Sequence, residues 1–121
     1  MEKEWEKEPD IKKFKYKGYK CEIRRHPEMK SLNGYVEVPQ THPKWGKHYS
    51  EIDIHCHGGL TYSYTDKLIH TIGFDCAHLN DLIPGMLEMG MGFESDVYKN
   101  ISYVKKELMK IVDQLEVMNN V

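Results

Sequence analysis

Apolar and polar positions alternate one for one along much of the chain before Cys76, and they step by fours and threes beyond Ser95. The first pattern marks strands with one buried face, the second an amphipathic helix. Phe14 and Tyr16 alternate with Lys13, Lys15 and Lys17. Gly18 offers a turn, and Tyr19, Cys21 and Ile23 then alternate with Lys20, Glu22 and Arg24, which predicts a β-hairpin. Gly34 to Val38 reads as a third strand, stopped by Pro39. In Glu51 to His57, Ile52, Ile54 and Cys56 point one way and Glu51, Asp53, His55 and His57 the other. Gly58-Gly59 breaks that run, and Leu60, Tyr62 and Tyr64 alternate with Thr61, Ser63 and Thr65, so the two segments predict a second hairpin with a glycine turn. Asp66-Lys67 is a turn before a strand over Ile69 to Cys76, with Ile72, Phe74 and Cys76 opposite Thr71, Gly73 and Asp75.

Leu79 to Leu87 reads as a short helix or lid loop interrupted by Pro84 and Gly85, followed by adaptable apolar surface at Met86, Met89 and Met91. Val97, Ile101, Val104, Leu108, Ile111, Leu115 and Met118 form one stripe over about six helical turns, with Ser95 or Asp96 as its cap. The expected fold is therefore α+β: a single antiparallel or mixed sheet of about five or six strands with a long C-terminal helix packed across one face. The same stripe also suits a coiled-coil seam, which makes a homodimer the alternative use of the helix. Residues 1–10 are a charged tail, frayed or folded as a short helix anchored by Trp5, and residues 11–121 form one domain.

Composition narrows the function classes. A chain of 121 residues with 11% aromatics has material for one modest core. A net charge of −2 gives no bulk attraction to nucleic acid or membranes. No apolar run approaches the ~20 residues of a membrane span, and the first ten residues lack the apolar stretch of a secretory signal. The basic run from Lys12 to Arg25, interleaved with aromatics, has the makings of a nucleic-acid surface, but lysines that protect an edge strand explain it more simply. Nucleic acid is accordingly not an expected partner. Cys21, Cys56 and Cys76 lack a disulfide spacing, which fits reduced thiols in a cytoplasmic protein.

Candidate chemistry concentrates in EIDIHCHGGLTYSYT and IGFDCAHLND. Two imidazoles at i and i+2 on a strand, His55 and His57, face the same way and can grip one divalent ion, with Asp75 and His78 completing the set. Zinc suits such donors, and manganese or iron are compatible with them. Asp81 or Glu51 then serves as general base or orients a ligating histidine. His42, Trp45, Lys47 and His48, in the loop before this segment, join Asp53, Thr61, Tyr62 and Ser63 as candidate ligand-binding residues. Two other readings stay open: a metal-free His/Asp pocket for an anionic or nucleotide-like ligand, and a polar network that only orders the sheet surface. Cys56 and Cys76 fall on apolar sides where a thiol is inert, and Ser63 lacks a nucleophile motif.

At GYVEVPQTHPKWGKHYSEIDIHCHGGLTYS and IGFDCAHLNDLIPG, the chain resembles a family of small uncharacterised proteins of phages, prophages and Gram-positive bacteria. The likeness covers about residues 34–85, and the C-terminal helix more loosely. It implies a cytosolic protein of a kind that phages encode, and small phage proteins often bind a host protein or a signalling nucleotide. It implies no activity, fold or site residue. Three functions are thus in view: a binder of a small ligand or host partner, a divalent-metal-dependent hydrolase of phosphoester type, and a host-protein inhibitor acting by surface contacts.

Overall fold

Lys17 and Gly18 both take positive φ, 51° and 85°. A two-residue turn of that kind matches the natural twist of paired strands, and it joins β1 (Ile11–Tyr16) to β2 (Tyr19–Arg25). The computed structural model describes residues 2–93 and 95–119. Three further strands, β3 (Leu32–Val38), β4 (Tyr62–Asp66) and β5 (Ile69–Asp75), complete a five-stranded sheet in the order β1-β2-β3-β5-β4, with every neighbouring pair antiparallel. The fold is α+β, as the periodicities predict.

The long helix, α3 (Ile101–Asn119), lies on one face of the sheet. Val104, Leu108, Ile111, Val112 and Leu115 are fully buried, and they meet Ile23, Leu32, Val36, Ile72 and Phe74 of the sheet. The contact is closest at Gly34, where a Cβ would stand 2.8 Å from the Phe74 ring and 3.0 Å from Leu108. Only a residue with no side chain lets the helix and the ring settle on the β3 backbone there.

The helix begins at Asn100, not at Ser95 or Asp96. The Asn100 side chain accepts the Tyr103 N–H at 2.8 Å, the usual N-cap bond. Val97 drops out of the apolar stripe because its backbone is committed elsewhere: it bridges Asp81 in parallel, donating to Asn80 and accepting from Leu82. Pro84 and Gly85 likewise open a helix rather than interrupt one. The short α2 (Pro84–Glu88) starts on Pro84, where a missing N–H costs nothing.

The N-terminal segment takes the folded alternative. It contains α1 (Glu4–Lys7), whose Trp5 is buried with its ring edge-on to Tyr98 at 5.2 Å. Glu8 pairs with Arg25 at 3.3 Å and accepts the Ile101 N–H at 2.8 Å, so it satisfies a free donor at the start of α3.

The largest departure from expectation is Glu51 to His57, which is not a strand and does not pair with β4. It opens with a 3₁₀ turn (Tyr49–Glu51) and continues as an extended segment lying against α3. The alternation still shows as burial, for Ile52 and Ile54 are in the core while Asp53 and His55 are exposed. The backbone groups a neighbouring strand would have satisfied are met instead by helix side chains. The Gln114 amide accepts the His55 N–H at 2.7 Å and donates to the His55 carbonyl at 2.8 Å, and the buried Glu107 accepts the His57 N–H at 2.8 Å. β4 pairs only with β5, through a tight turn in which Lys67 has φ 57°.

Removing this pair of amide bonds should loosen the segment without unfolding the sheet. We predict that Gln114→Ala lowers stability by about 0.5–1.5 kcal/mol and speeds hydrogen exchange at the His55 amide. Unchanged protection of that amide would mean the helix is not what holds the segment.

Candidate metal centre

Two tight turns and one buried face of α3 assemble the polar cluster. After β5, the Asp75 carboxylate accepts the Ala77 N–H at 3.1 Å, and the Asp81 carboxylate accepts the His78 N–H at 3.0 Å while Asp81 donates back to the His78 carbonyl. Asn80 makes this compact by adopting φ 75°, a region that asparagine tolerates. His78 and Asp81 are thereby pressed together. From the other side, the Cys56–Gly59 turn delivers His57.

His57 Nε2 lies 2.9 and 2.8 Å from the two Asp81 oxygens, and its Nδ1 lies 2.9 Å from the Tyr103 hydroxyl of α3. His78 places Nδ1 at 3.4 Å from Asp81 and Nε2 at 3.5 Å from Asp75. One donor atom each from His57, His78 and Asp81 falls within 4.8 Å of the others. The Asp81 side chain is 2% exposed, His57 17% and His78 32%, so the cluster is sunken with His78 at its mouth. Lys99 reaches the second Asp81 oxygen at 3.2 Å.

Burial on its own pushes the Asp81 carboxyl up. The hydrogen bonds from His57, the His78 amide and Lys99 outweigh that and hold it below the usual carboxylate range, so it is an anion at neutral pH. Burial raises the Tyr103 phenol, with Glu107 adding to the effect, which keeps it a hydroxyl. His78 Nδ1 is buried yet has no hydrogen-bond partner among the described residues. An orphaned ring nitrogen is uncommon, and here it points at the functional possibility of a ligand.

Gly58 is the cluster's backbone requirement. Its φ is +67°, and a Cβ on it would lie 2.2 Å from His78 Cε1. The His78 ring therefore rests on bare backbone, and two independent constraints select glycine.

Of the residues predicted as metal ligands, His57 and His78 converge and His55 does not. Its side chain is 90% exposed, with Asp53 as its nearest acid at 3.9 Å. The i, i+2 rule needs a continuous strand, and the chain here has left sheet geometry and turns at Gly58. Asp75 stands just outside the three-residue set, held by Thr61 Oγ1 at 3.0 Å. Asp81, expected as base or orienter, is the most buried member of the cluster, whereas Glu51 is an exposed residue of the 3₁₀ turn. The cluster sits at the end of β5 and against α3.

The predicted ligand-binding residues do not gather around one cavity. His42 is 3% exposed and structural: its Nε2 is 2.7 Å from the Leu115 carbonyl near the end of α3, and its Nδ1 accepts the Lys44 N–H. Trp45 packs on the core and donates to the Leu68 carbonyl. The Lys47 carbonyl meets the buried His70, and His48 caps the 3₁₀ turn through Ser50. Asp53 is exposed, Ser63 accepts the Tyr49 N–H, and Tyr62 lies edge-on to Tyr35 on the outer sheet face. On that face Glu22 is within ion-pair reach of both Lys13 and Arg24, so its basic side chains are partly neutralised in place. Burial pushes the thiols of Cys56 and Cys76 up to about 11 and about 12, so neither is a nucleophile at neutral pH.

Tyr103, Glu107, Gln114 and Lys99 also reach the cluster or its supporting segment, and none of them lies in the motifs that mark it in the sequence. The first three were findable, because Tyr103, Glu107, Lys110 and Gln114 form a polar stripe at helical spacing beside the apolar one. No protein-family model, curated protein or solved structure matches the chain.

The glycine requirement has a direct consequence. We predict that Gly58→Ala lowers stability by about 1–3 kcal/mol and displaces the His78 ring, measured as a melting shift together with changed His78 imidazole resonances. A variant with unaltered His78 resonances would show that the ring does not rest on Gly58.

Proposed function

We propose that the protein binds one divalent transition-metal ion, zinc by preference, through His57 Nε2, His78 Nδ1 and Asp81, and that it is a metal-dependent hydrolase. The observation that carries this reading is the buried His78 Nδ1, which has no hydrogen-bond partner among the described residues and lies 3.4 Å from an Asp81 oxygen. The 2.8 and 3.4 Å separations from Asp81 to the two rings bracket the ~3.3 Å edge of a tetrahedron whose bonds are ~2.0–2.1 Å. Two imidazoles and one carboxylate are a donor set zinc accepts in catalytic sites, with a fourth position for water.

The surroundings support the same reading. A ligating histidine fixes its orientation by hydrogen-bonding its other ring nitrogen to an oxygen. Tyr103 supplies that oxygen for His57 and Asp75 stands in place to supply it for His78. Lys99 reaches Oδ1 of Asp81, while His78 Nδ1 faces Oδ2 and His57 Nε2 lies within reach of both. A metal held here would supply a hydroxide near neutral pH, and half-exposed Asp75, 3.5 Å from His78 Nε2, would be placed to take a proton from an incoming water.

One observation favours a metal-free reading. Lys99 already neutralises Asp81, so His57, Asp81 and Lys99 form a network with balanced charge, and such a cluster also suits an anionic ligand at His78. The two readings separate on metal content.

For protein purified without chelator or a polyhistidine tag, elemental analysis should find close to one zinc per chain, and EDTA should lower the melting temperature by several degrees. His57→Ala, His78→Ala and Asp81→Asn should each reduce bound zinc at least tenfold. His55→Ala should leave it unchanged, because His55 is outside the cluster. Metal-free wild-type protein with no response to EDTA would sink the hydrolase reading in favour of the anion pocket.

A further inference from the structure

The cluster opens onto an apolar cavity of about 430 Å³, and His78 and Asp81 are part of its wall. The rest is dominated by Leu82, Ile83, Met86, Leu87, Met91 and Phe93, contributed by the segment after Asp81, by α2 and by the chain beyond it. Phe93 is 71% exposed, Met91 52% and Leu87 41%. Large apolar side chains gathered at this exposure around a concave surface are uncommon unless something covers them. Methionines lining such a surface adapt to differently shaped apolar groups.

We propose that the substrate of the metal site is amphipathic: an oxygen-rich head bound at His78 and Asp81, and an aliphatic or aryl arm lying in this cavity. The inference rests on the metal reading and adds to it the chemical class of the molecule. Three observations select this occupant. The cavity and the cluster share His78 and Asp81, so a molecule held by one is placed at the other. The volume has room for about fourteen water-sized groups, enough for an arm of about eight carbons with space left for its head. The wall carries few hydrogen-bonding side chains away from the cluster, chiefly Asn80 and Asp96, and Asp96 already accepts the Phe93 N–H. A nucleobase, whose ring edge demands several polar partners, is poorly served by such a wall, whereas a hydrocarbon arm needs none.

Alkyl hydroxamates test this directly, because the head binds a metal and the tail length is free to vary. Binding of acetohydroxamate and octanohydroxamate to the zinc-loaded chain is measured by calorimetry, with zinc content measured on the same samples. Each buried methylene contributes about fourfold, so the longer probe should bind at least tenfold more tightly. Leu87→Asp and Met91→Asp both alter exposed positions of the cavity wall. Each should collapse that preference toward unity while zinc content and acetohydroxamate affinity stay as in the wild type. Equal affinity for the two probes in a zinc-loaded wild type would overturn the amphipathic substrate and leave the metal site standing. A preference that survives both variants would also overturn it, since the arm would then lie elsewhere. Failure to load zinc would overturn the metal reading and this inference with it.

Discussion

An extended segment without a strand neighbour must find other partners for its backbone, and the way Ile52 to Gly59 does so decides where the cluster forms. Amide groups with reduced access to water are costly to leave unpaired, as at the part-buried His57 N–H. Here α3 supplies the missing edge with side chains: Gln114 mimics a strand's donor and acceptor at His55, and Glu107 receives the His57 N–H. The helix that packs the core thus also sets the height and orientation of His57. Glu107 sits within the buried face, and Lys110 at 2.9 Å balances its charge. Without that partner its burial would be expensive.

The other half of the cluster depends on the end of the sheet. β5 is paired on both sides, with β3 and β4, and its exit is therefore fixed. The turns that follow bring Asp75, His78 and Asp81 together at spacings of three residues, each closed by a carboxylate on a backbone N–H. Rigid scaffold on one side and a strapped segment on the other leave the site little freedom, which is the condition for a preorganised metal or ligand site. Beside this fixed part, Leu87, Met91 and Phe93 of the cavity wall are exposed large apolar side chains.

Much of the fold was legible because burial leaves a period in the sequence. The first hairpin, the strand ending at Val38, the strand into Cys76 and the helix stripe from Ile101 to Met118 all follow from alternation or helical stepping. The same rule misled at Glu51 to His57, where inside-outside alternation is real but arises from an extended strap across a helix. Period two reports burial on one side, not the identity of the hydrogen-bond partner. That is why His55 looked like a partner of His57 and is instead solvent-exposed. Conversely, the three-residue spacing from Asp75 to His78 to Asp81 was visible in the sequence. Its convergence with His57 was not, because it depends on a contact across Gly58 that no local pattern encodes. Lys99 was hidden for a similar reason, since it reaches Asp81 from a segment distant in sequence and outside the helical stripe.

The central claim is that His57, His78 and Asp81 are one metal site. The most direct measurement is an anomalous-difference map at the zinc edge from crystals of the zinc-loaded protein. The account predicts a single strong peak about 2.0–2.2 Å from His57 Nε2, His78 Nδ1 and one Asp81 oxygen. A peak at His55 and Asp53, or no ordered peak in the cluster, would contradict it.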